Sequence, residues 1–222
     1  MKKRCAGAAM KLIRDGMTVG LGGGETVGYL IDMIAEKDLR IRVVTPSYTT
    51  AVKCTEAGLD LVPVASVQSV DIAFDGCDEA DRNCCALKSA GGIHTIEKVV
   101  ASLAKDYILL IDESKLYDRL PFLHTVTIEV LPEALQYVRN TLAAFGYETD
   151  CRRSREKEGL TVTDHGNYLL DAHIPAPEDC AQLEKTLKSI TGIVDTSLFT
   201  GKVTAILCAG MNGTQMIERS RT

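Results

Sequence analysis

The sequence predicts an α/β protein: a doubly wound, mostly parallel sheet, with a smaller α+β unit inserted before the last strand. Three observations carry this. Short, almost wholly apolar runs such as Tyr107-Ile108-Leu109-Leu110-Ile111 alternate with helical patterns through the first half. Continuous apolar strands separated by helices belong to a parallel sheet covered on both faces. Near residue 125 the pattern changes to alternating strands such as Thr125-Val126-Thr127-Ile128-Glu129-Val130, and residues 203–208 then return to a plain apolar strand.

Residues 2–14 carry a helical pattern that stops at Asp15-Gly16, a C-terminal helix signal. Residues 17–21 form a short apolar strand running straight into Gly22-Gly23-Gly24, and residues 26–35 continue as a helix. A strand over 41–45, a helix over 48–57 and strands over 59–64, 71–74 and 107–111 complete the first half. In the second part a strand over 125–130 precedes a helix that opens at Pro132 and lasts to about residue 145. Strands follow over 148–153 and 160–174, the latter turning at Asp164-His165-Gly166-Asn167. A helix over 178–190 and a strand over 194–199 close the unit. The order βαββαβ is that of a ferredoxin-like sandwich. The predicted division is 1–124 plus 202–222 for the large domain and 125–201 for the small one. The cleft between them is the natural place for a site.

The chain of 222 residues suits one large domain or one domain with a small addition. Aromatics are only 5% and Trp is absent, so the core is built mainly from Val, Ile, Leu and Ala. A formal charge of −5 speaks against nucleic acid as a partner, because phosphate-backbone binding needs a basic surface. The basic cluster Arg152, Arg153, Arg155, Lys157 is interrupted by Glu156 and Glu158 and reads as a solvated loop. No stretch is long and apolar enough for a membrane span. The start, Met1-Lys2-Lys3-Arg4-Cys5, has no hydrophobic run behind it, so no secretory leader is expected. Eight cysteines, at 5, 54, 77, 84, 85, 151, 180 and 208, match neither a CxxC pair nor a Cys/His zinc pattern. Reduced thiols in a cytoplasmic protein, with no metal site, are expected.

Four stretches carry chemistry. Gly20-Leu21-Gly22-Gly23-Gly24-Glu25-Thr26 lies between a strand and a helix, where glycines admit a ligand and a helix N-terminus offers N–H groups to an anion. It lacks the spacing of a dinucleotide fingerprint and the GK[ST] of a nucleotide loop, and by itself is equally well a plain tight turn. Asp75-Gly76-Cys77-Asp78-Glu79 follows a strand, at the end where parallel sheets bind ligands. Asp75 and Asp78 there suit sugar hydroxyls better than a metal, while Glu79 and Asp81 read as a solvated acidic turn. The third stretch is Lys88-Ser89-Ala90-Gly91-Gly92-Ile93-His94-Thr95-Ile96-Glu97-Lys98. It sets a lysine, a small-residue turn and a helix-borne carboxylate around a small polar substrate. Aldose–ketose exchange needs a base that moves a proton between neighbouring carbons while a cation holds the enediolate oxygen. Glu97 is favoured as that base over its rival His94. The fourth stretch, Ile111-Asp112-Glu113-Ser114-Lys115, again ends an apolar strand, and Lys115 is placed to meet an anion.

In this order and spacing the four stretches resemble the A type of ribose-5-phosphate isomerase, and the resemblance spans nearly the whole chain, including Val162-Thr163-Asp164-His165-Gly166-Asn167. It implies a Rossmann-like domain with a lid domain and no metal or nucleotide cofactor. It further implies an intramolecular oxidoreductase of the pentose phosphate pathway that interconverts ribose 5-phosphate and ribulose 5-phosphate. By position Glu97 looks like the catalytic base. Asp75, Gly76, Cys77 and Asp78 resemble the DGAD substrate loop, with Cys77 replacing alanine. Lys88, Ser89, Ala90 and Gly91 stand where the family has KGGG, and Lys115 where it has the lysine of a DxSK stretch. Together these imply a cis-enediolate route in which Asp75, Asp78 and Lys88 assist ring opening and hold the hydroxyls. A sugar phosphate is the expected ligand, and a homodimer or higher homo-oligomer the expected assembly.

One turn departs from the family pattern. Where relatives have TGST, this chain has Gly23, Gly24, Glu25 and Thr26. A carboxylate ~4 Å from a unit negative charge is opposed by roughly 4 kcal/mol at an effective dielectric near 20. One N–H bond to a charged group offers only ~1.5–3 kcal/mol in return. Either Glu25 turns away to pair with Lys2 or Lys3 and leaves backbone N–H groups to the phosphate, or it faces the cleft and the substrate is neutral there. The first is favoured. An isomerase of another sugar, a non-catalytic sugar-phosphate sensor and a coenzyme A transferase remain the competing functions.

Overall fold

The computed structural model describes residues 1–37, 39–154 and 158–219. Of the basic cluster predicted to be solvated, Arg155 and Lys157, with Glu156 between them, lie outside these residues. Helix α1 (Lys2–Met10) is followed by β1 (Thr18–Leu21), α2 (Glu25–Glu36), β2 (Arg42–Val44), α3 (Tyr48–Glu56), β3 (Asp60–Leu61) and β4 (Val70–Asp75). Short strands β5 (Glu79–Asp81) and β6 (Ala86–Leu87) lead into α4 (His94–Leu103), β7 (Ala104–Asp112) and β8 (Leu116–Tyr117). The smaller unit runs β9 (Val126–Val130), α5 (Leu135–Ala144), β10 (Glu148–Cys151), β11 (Tyr168–His173), α6 (Cys180–Lys188) and β12 (Ile193–Thr196). Strands β13 (Leu198–Phe199), β14 (Ala205–Gly210) and β15 (Gly213–Glu218) follow.

The central sheet has the order β15-β14-β7-β4-β1-β2-β3 and is parallel except for the edge strand β15. Alternation along β7 explains its two covered faces. Ile108 and Leu110 join the core under α1 and α2, whereas Tyr107, Leu109 and Ile111 join the core that includes Val100 and Ala101 of α4. From β1 the chain steps to β2 on one side, and β4 then pairs on the other side. The sheet therefore has its topological switch point between β1 and β4, where ligands bind beyond the carboxyl ends of the strands. Strand β14 returns to pair with β7 in parallel, as expected for residues 203–208.

The smaller unit forms an antiparallel sheet, β10-β11-β9-β12. Val138 and Leu142 of α5 and Leu183 and Leu187 of α6 share one core with its inward residues, as the βαββαβ pattern requires. A third sheet, β13-β6-β5-β8, was not anticipated from the sequence. Its strands are too short to carry a period, and β13 ties residues 198–199 to the 86–87 strand.

Several boundaries differ from expectation for identifiable reasons. Helix α1 stops at Met10 because the N–H groups of Lys11, Leu12 and Ile13 bond to carbonyls three residues back, tightening the chain into turns. The strand expected over 59–64 is limited to Asp60–Leu61; Pro63 has no N–H to offer, and a 3-10 turn follows at Val64–Ser66. Within 160–174, Leu160 and Val162 make only isolated bridges before β11. Ser197 divides the strand expected over 194–199: its N–H donates to the Thr127 carbonyl at 2.7 Å and its hydroxyl accepts from Thr127 N at 2.9 Å.

Polar side chains staple the smaller unit to the segment bearing Lys88 and Glu97. Lys98 is buried and reaches Glu184 at 2.5 Å and Asp195 at 2.8 Å. Arg152, expected in a solvated loop, is half-buried against Asp171 and donates to the carbonyls of Ser89 at 2.9 Å and Ala90 at 3.2 Å. Its planar fork donates to Asp171, the Thr127 hydroxyl and both carbonyls at once, which keeps it out of solvent. Buried Glu129 accepts from Thr163 Oγ1 at 2.9 Å, Asn167 Nδ2 at 2.7 Å and the Thr95 hydroxyl at the head of α4. Burial opposes its ionisation, but these donors outweigh that and hold its pKa below the usual carboxylate value. Such a group stabilises the fold above its unfolded-state pKa, and the contribution is lost as pH falls through the folded value. Glu129→Leu, which strands three donors, is expected to cost about 3 kcal/mol at neutral pH in urea unfolding. The difference from the parent should shrink at about pH 3; a cost under about 1 kcal/mol, or one that does not change with pH, would contradict this anchoring.

Candidate active site

Strands β1 and β4 end side by side, and what they place there follows from one glycine. Gly22 N donates to the Phe74 carbonyl at 2.8 Å, continuing the ladder, and a Cβ on Gly22 would lie 2.0 Å from Asp75 Cγ. Only glycine lets the Asp75 carboxylate fold back against the β1 turn. There Asp75 Oδ1 accepts from Gly76 N at 2.8 Å and Gly23 N at 3.3 Å, and its Oδ2 accepts from the Tyr107 hydroxyl at 2.7 Å.

Strand β6 delivers Lys88 opposite, its backbone N–H fixed to the Ser197 carbonyl at 3.0 Å. Lys88 Nζ lies 3.1 Å from Asp75 Oδ2 and 3.2 Å from Glu97 Oε1, and also donates to the Gly76 carbonyl. Glu97 comes from the first turns of α4, its N–H bonded to the Ile93 carbonyl. All three charged residues are nearly dry: Asp75 is 2% exposed, Lys88 6% and Glu97 6%.

At ~3 Å and an effective dielectric near 20, each ion pair is worth about 5 kcal/mol of attraction, set against several kcal/mol of desolvation per ion. Two carboxylates share one ammonium, so the second is hard to ionise. Burial first, and the Asp75 charge as well, push the Glu97 carboxyl up to about 8 against the pull of Lys88. Burial works against the Lys88 charge, but Asp75 and Glu97 outweigh it and hold its acidity weaker than that of a free lysine. A carboxyl poised in this range, 3 Å from a fixed cation, is suited to taking and returning a proton.

The other predicted residues fall around this set. Asp78 Oδ2 accepts from Ser89 N at 2.7 Å and Ala90 N at 3.0 Å, bracing the loop that carries Lys88. The Ser89 hydroxyl donates to the Thr125 carbonyl at 2.5 Å and sits 3.1 Å from Ser197 Oγ, so it is buried against the smaller unit. Ala90 and Gly91 are exposed. The Cys77 thiol is pushed up to about 12 by burial, while its carbonyl accepts from Lys115 Nζ at 2.7 Å. Gly23 and Gly24 lead into α2, which opens with Glu25, Thr26 and Val27, whose N–H groups the helix cannot itself satisfy. Glu25 turns away from them: its carboxylate meets Lys2 Nζ at 2.5 Å and accepts from the Tyr29 hydroxyl at 2.9 Å. The side chain thus pairs with Lys2, one of the two lysines expected for it.

One expectation is corrected. Glu79 and Asp81, expected in a solvated turn, are buried at 0% and 4% exposure because β5 lies between β6 and β8. Glu79 accepts from both the backbone N and the Nδ1 of His124, and Asp81 from the N–H groups of Asn83 and Cys85. His94, the rival base, is fully buried with Nε2 3.3 Å from the Asp195 carbonyl, and burial with the Lys98 charge pushes it down to about 4. Tyr107 is not among the residues to which the sequence assigns chemistry, and Gly22 figures there only as part of the Gly-rich turn. A hydroxyl inside the run 107–111 was the available signal, since a buried tyrosine requires a partner. Among the described residues no three His, Cys, Asp or Glu side chains are grouped as a metal site, and all eight cysteines are free.

The profile of the family described as ribose 5-phosphate isomerase A (phosphoriboisomerase A) matches residues 42–213. A Pyrococcus abyssi protein named ribose-5-phosphate isomerase A is 35% identical over 224 residues, covering 99% of this chain and 98% of that one. A Thermosynechococcus vestitus protein of the same name is 37% identical, covering 93% and 90%. Among solved structures, ribose 5-phosphate isomerase A of Methanocaldococcus jannaschii superposes with a TM-score of 0.91 at 33% identity over 98% of this chain and 97% of that one. A D-ribose-5-phosphate isomerase in complex with phospho-erythronic acid gives 0.93 at 32% identity over the same shares. The chain belongs to the ribose 5-phosphate isomerase A family.

Proposed function

We propose that this chain interconverts D-ribose 5-phosphate and D-ribulose 5-phosphate with Glu97 as the base. The observation that carries this is the buried Asp75–Lys88–Glu97 set at the sheet's switch point, in a chain of that family. The relative bound to phospho-erythronic acid supports it, since a phosphorylated four-carbon acid presents a planar two-oxygen end like that of an enediolate.

Asp75, Asp78 and Lys88 assist opening of the furanose ring and hold its hydroxyls. In the open-chain aldose the Glu97 carboxylate takes the proton from C2, and that C–H pair becomes the C1–C2 double bond. The charge arriving on O1 faces the Lys88 ammonium, a fixed cation that needs no reorganisation. A proton passes from O2 to O1, Glu97 returns its own proton to C1, and the ketone forms at C2. Lys115 and the 23–26 turn receive the phosphate, with the N–H groups of Glu25, Thr26 and Val27 open to it because the Glu25 side chain is engaged by Lys2. Gly76, Cys77 and the 89–91 loop complete the walls. Residues 125–201 serve as a cover pinned over the large domain of 1–124 plus 202–222. A cytoplasmic homodimer or higher homo-oligomer fits the same role.

Glu97 must be ionised to accept the proton, and its acidity sits at about 8. kcat/KM for ribose 5-phosphate should therefore rise about tenfold per unit below pH 7 and level off above 8. Glu97→Gln should lower kcat by about 10²–10⁴ with little change in KM. A nearly active Glu97→Gln protein, or a flat profile from pH 6 to 8, would refute the assignment.

Removing a carboxylate that already points away from the anion should change little. Glu25→Ser is expected to leave kcat/KM for ribose 5-phosphate within about threefold of the parent. A gain of an order of magnitude in steady-state kinetics would place the carboxylate in the substrate's path after all.

A further inference from the structure

Tyr107 takes no part in the reaction as written, yet it lies directly beneath it. It stands beside Ala73 in the β4–β7 pairing, is fully buried, and stacks its ring 6.2 Å from that of Phe199. Its hydroxyl donates at 2.7 Å to Asp75 Oδ2, the same oxygen that faces Lys88 Nζ at 3.1 Å, and Lys88 in turn reaches Glu97 at 3.2 Å. Two charged groups, Asp75 and Lys88, thus link the buried Tyr107 hydroxyl to the base. We infer that Tyr107 is a positioning residue: by donating to Asp75 it offsets part of that carboxylate's charge and keeps the Lys88 ammonium shared with Glu97. This rests on Glu97 being the base.

The charged groups that face Glu97 are Lys88, Asp75 and, with a smaller influence, Asp78. Burial, followed by the charges of Asp75 and Glu97, drives the Tyr107 hydroxyl well above the ordinary phenol range, so it remains a donor throughout the working pH range. Its removal has a definite sign. Without the hydroxyl, Asp75 repels ionisation of Glu97 more strongly and draws Lys88 toward itself, and Glu97 keeps its proton to higher pH.

The test is a titration of the resting protein carrying carboxyl-13C glutamate, with the Glu97 signal identified by its loss in Glu97→Gln. The parent should titrate near 8. Tyr107→Phe, which keeps the ring and its stacking, should move that midpoint up by about half a unit or more and lower kcat at neutral pH about threefold or more, with KM within about twofold. Protein grown with 3-fluorotyrosine, whose more acidic hydroxyl is the stronger donor, should move the midpoint down. A purely structural Tyr107 would lower thermal stability on substitution and leave the midpoint where it was, and that result would overturn the inference. If Tyr107→Phe does not fold, the fluorinated protein decides: an unmoved or raised midpoint overturns the inference. The titration needs no substrate. A parent that fails to isomerise ribose 5-phosphate would sink the isomerase assignment, while the midpoints would still decide the role of Tyr107.

Discussion

One ammonium held between two buried carboxylates is the constraint on which the rest of this structure depends. Moving Lys88 away would take the cation from buried Glu97 and leave buried Asp75 with only its N–H and hydroxyl donors, and an uncompensated buried charge is among the costliest defects a fold can carry. The surroundings follow from that. Gly22 must lack a side chain so that Asp75 can lie against the β1 turn. Asp78 braces the loop that carries Lys88, and Ser197, Arg152 and Ser89 fix the same loop from the other side. Glu129 and Lys98 then hold α4, and with it Glu97, against the smaller unit. The smaller unit is thus mechanically part of the site although it contributes none of the three central charges.

Much of this was legible in the sequence, for physical reasons. The parallel sheet announced itself through continuous apolar strands, and the small sandwich through alternation beginning at Val126, because side-chain period reports directly on burial. Asp75, Asp78, Lys88 and Glu97, which the structure brings into one cluster or its bracing loop, follow strands or open a helix, the places where an α/β sheet exposes chemistry. What escaped were features with no local period. The two- and three-residue strands of the third sheet exist only through tertiary pairing, and the burial of Glu79 and Asp81 follows from that pairing. Arg152 looked solvated because its partners, Asp171 and the 89–90 carbonyls, are 19 and more than 60 residues away in sequence.

The phosphate turn shows how a locally unfavourable residue is accommodated. Glu25 stands at the first position of α2, where a carboxylate suits the helix dipole but opposes a bound anion. Lys2 and Tyr29 draw it aside by two short contacts, leaving the N–H groups of that turn clear of the carboxylate. Glu25 is drawn aside only because α1 packs beside α2 and brings Lys2 within reach.

The most direct test of the site is a crystal structure of this chain with bound phospho-erythronic acid. The expected result has the acid's carboxylate within about 3 Å of Lys88 Nζ and in contact with Glu97. The phosphate should sit on the N–H groups of Glu25, Thr26 and Val27, with the Glu25 side chain still on Lys2. A phosphate bound elsewhere, or a carboxylate out of reach of both Lys88 and Glu97, would contradict the assignment of this cluster as the place where the proton moves.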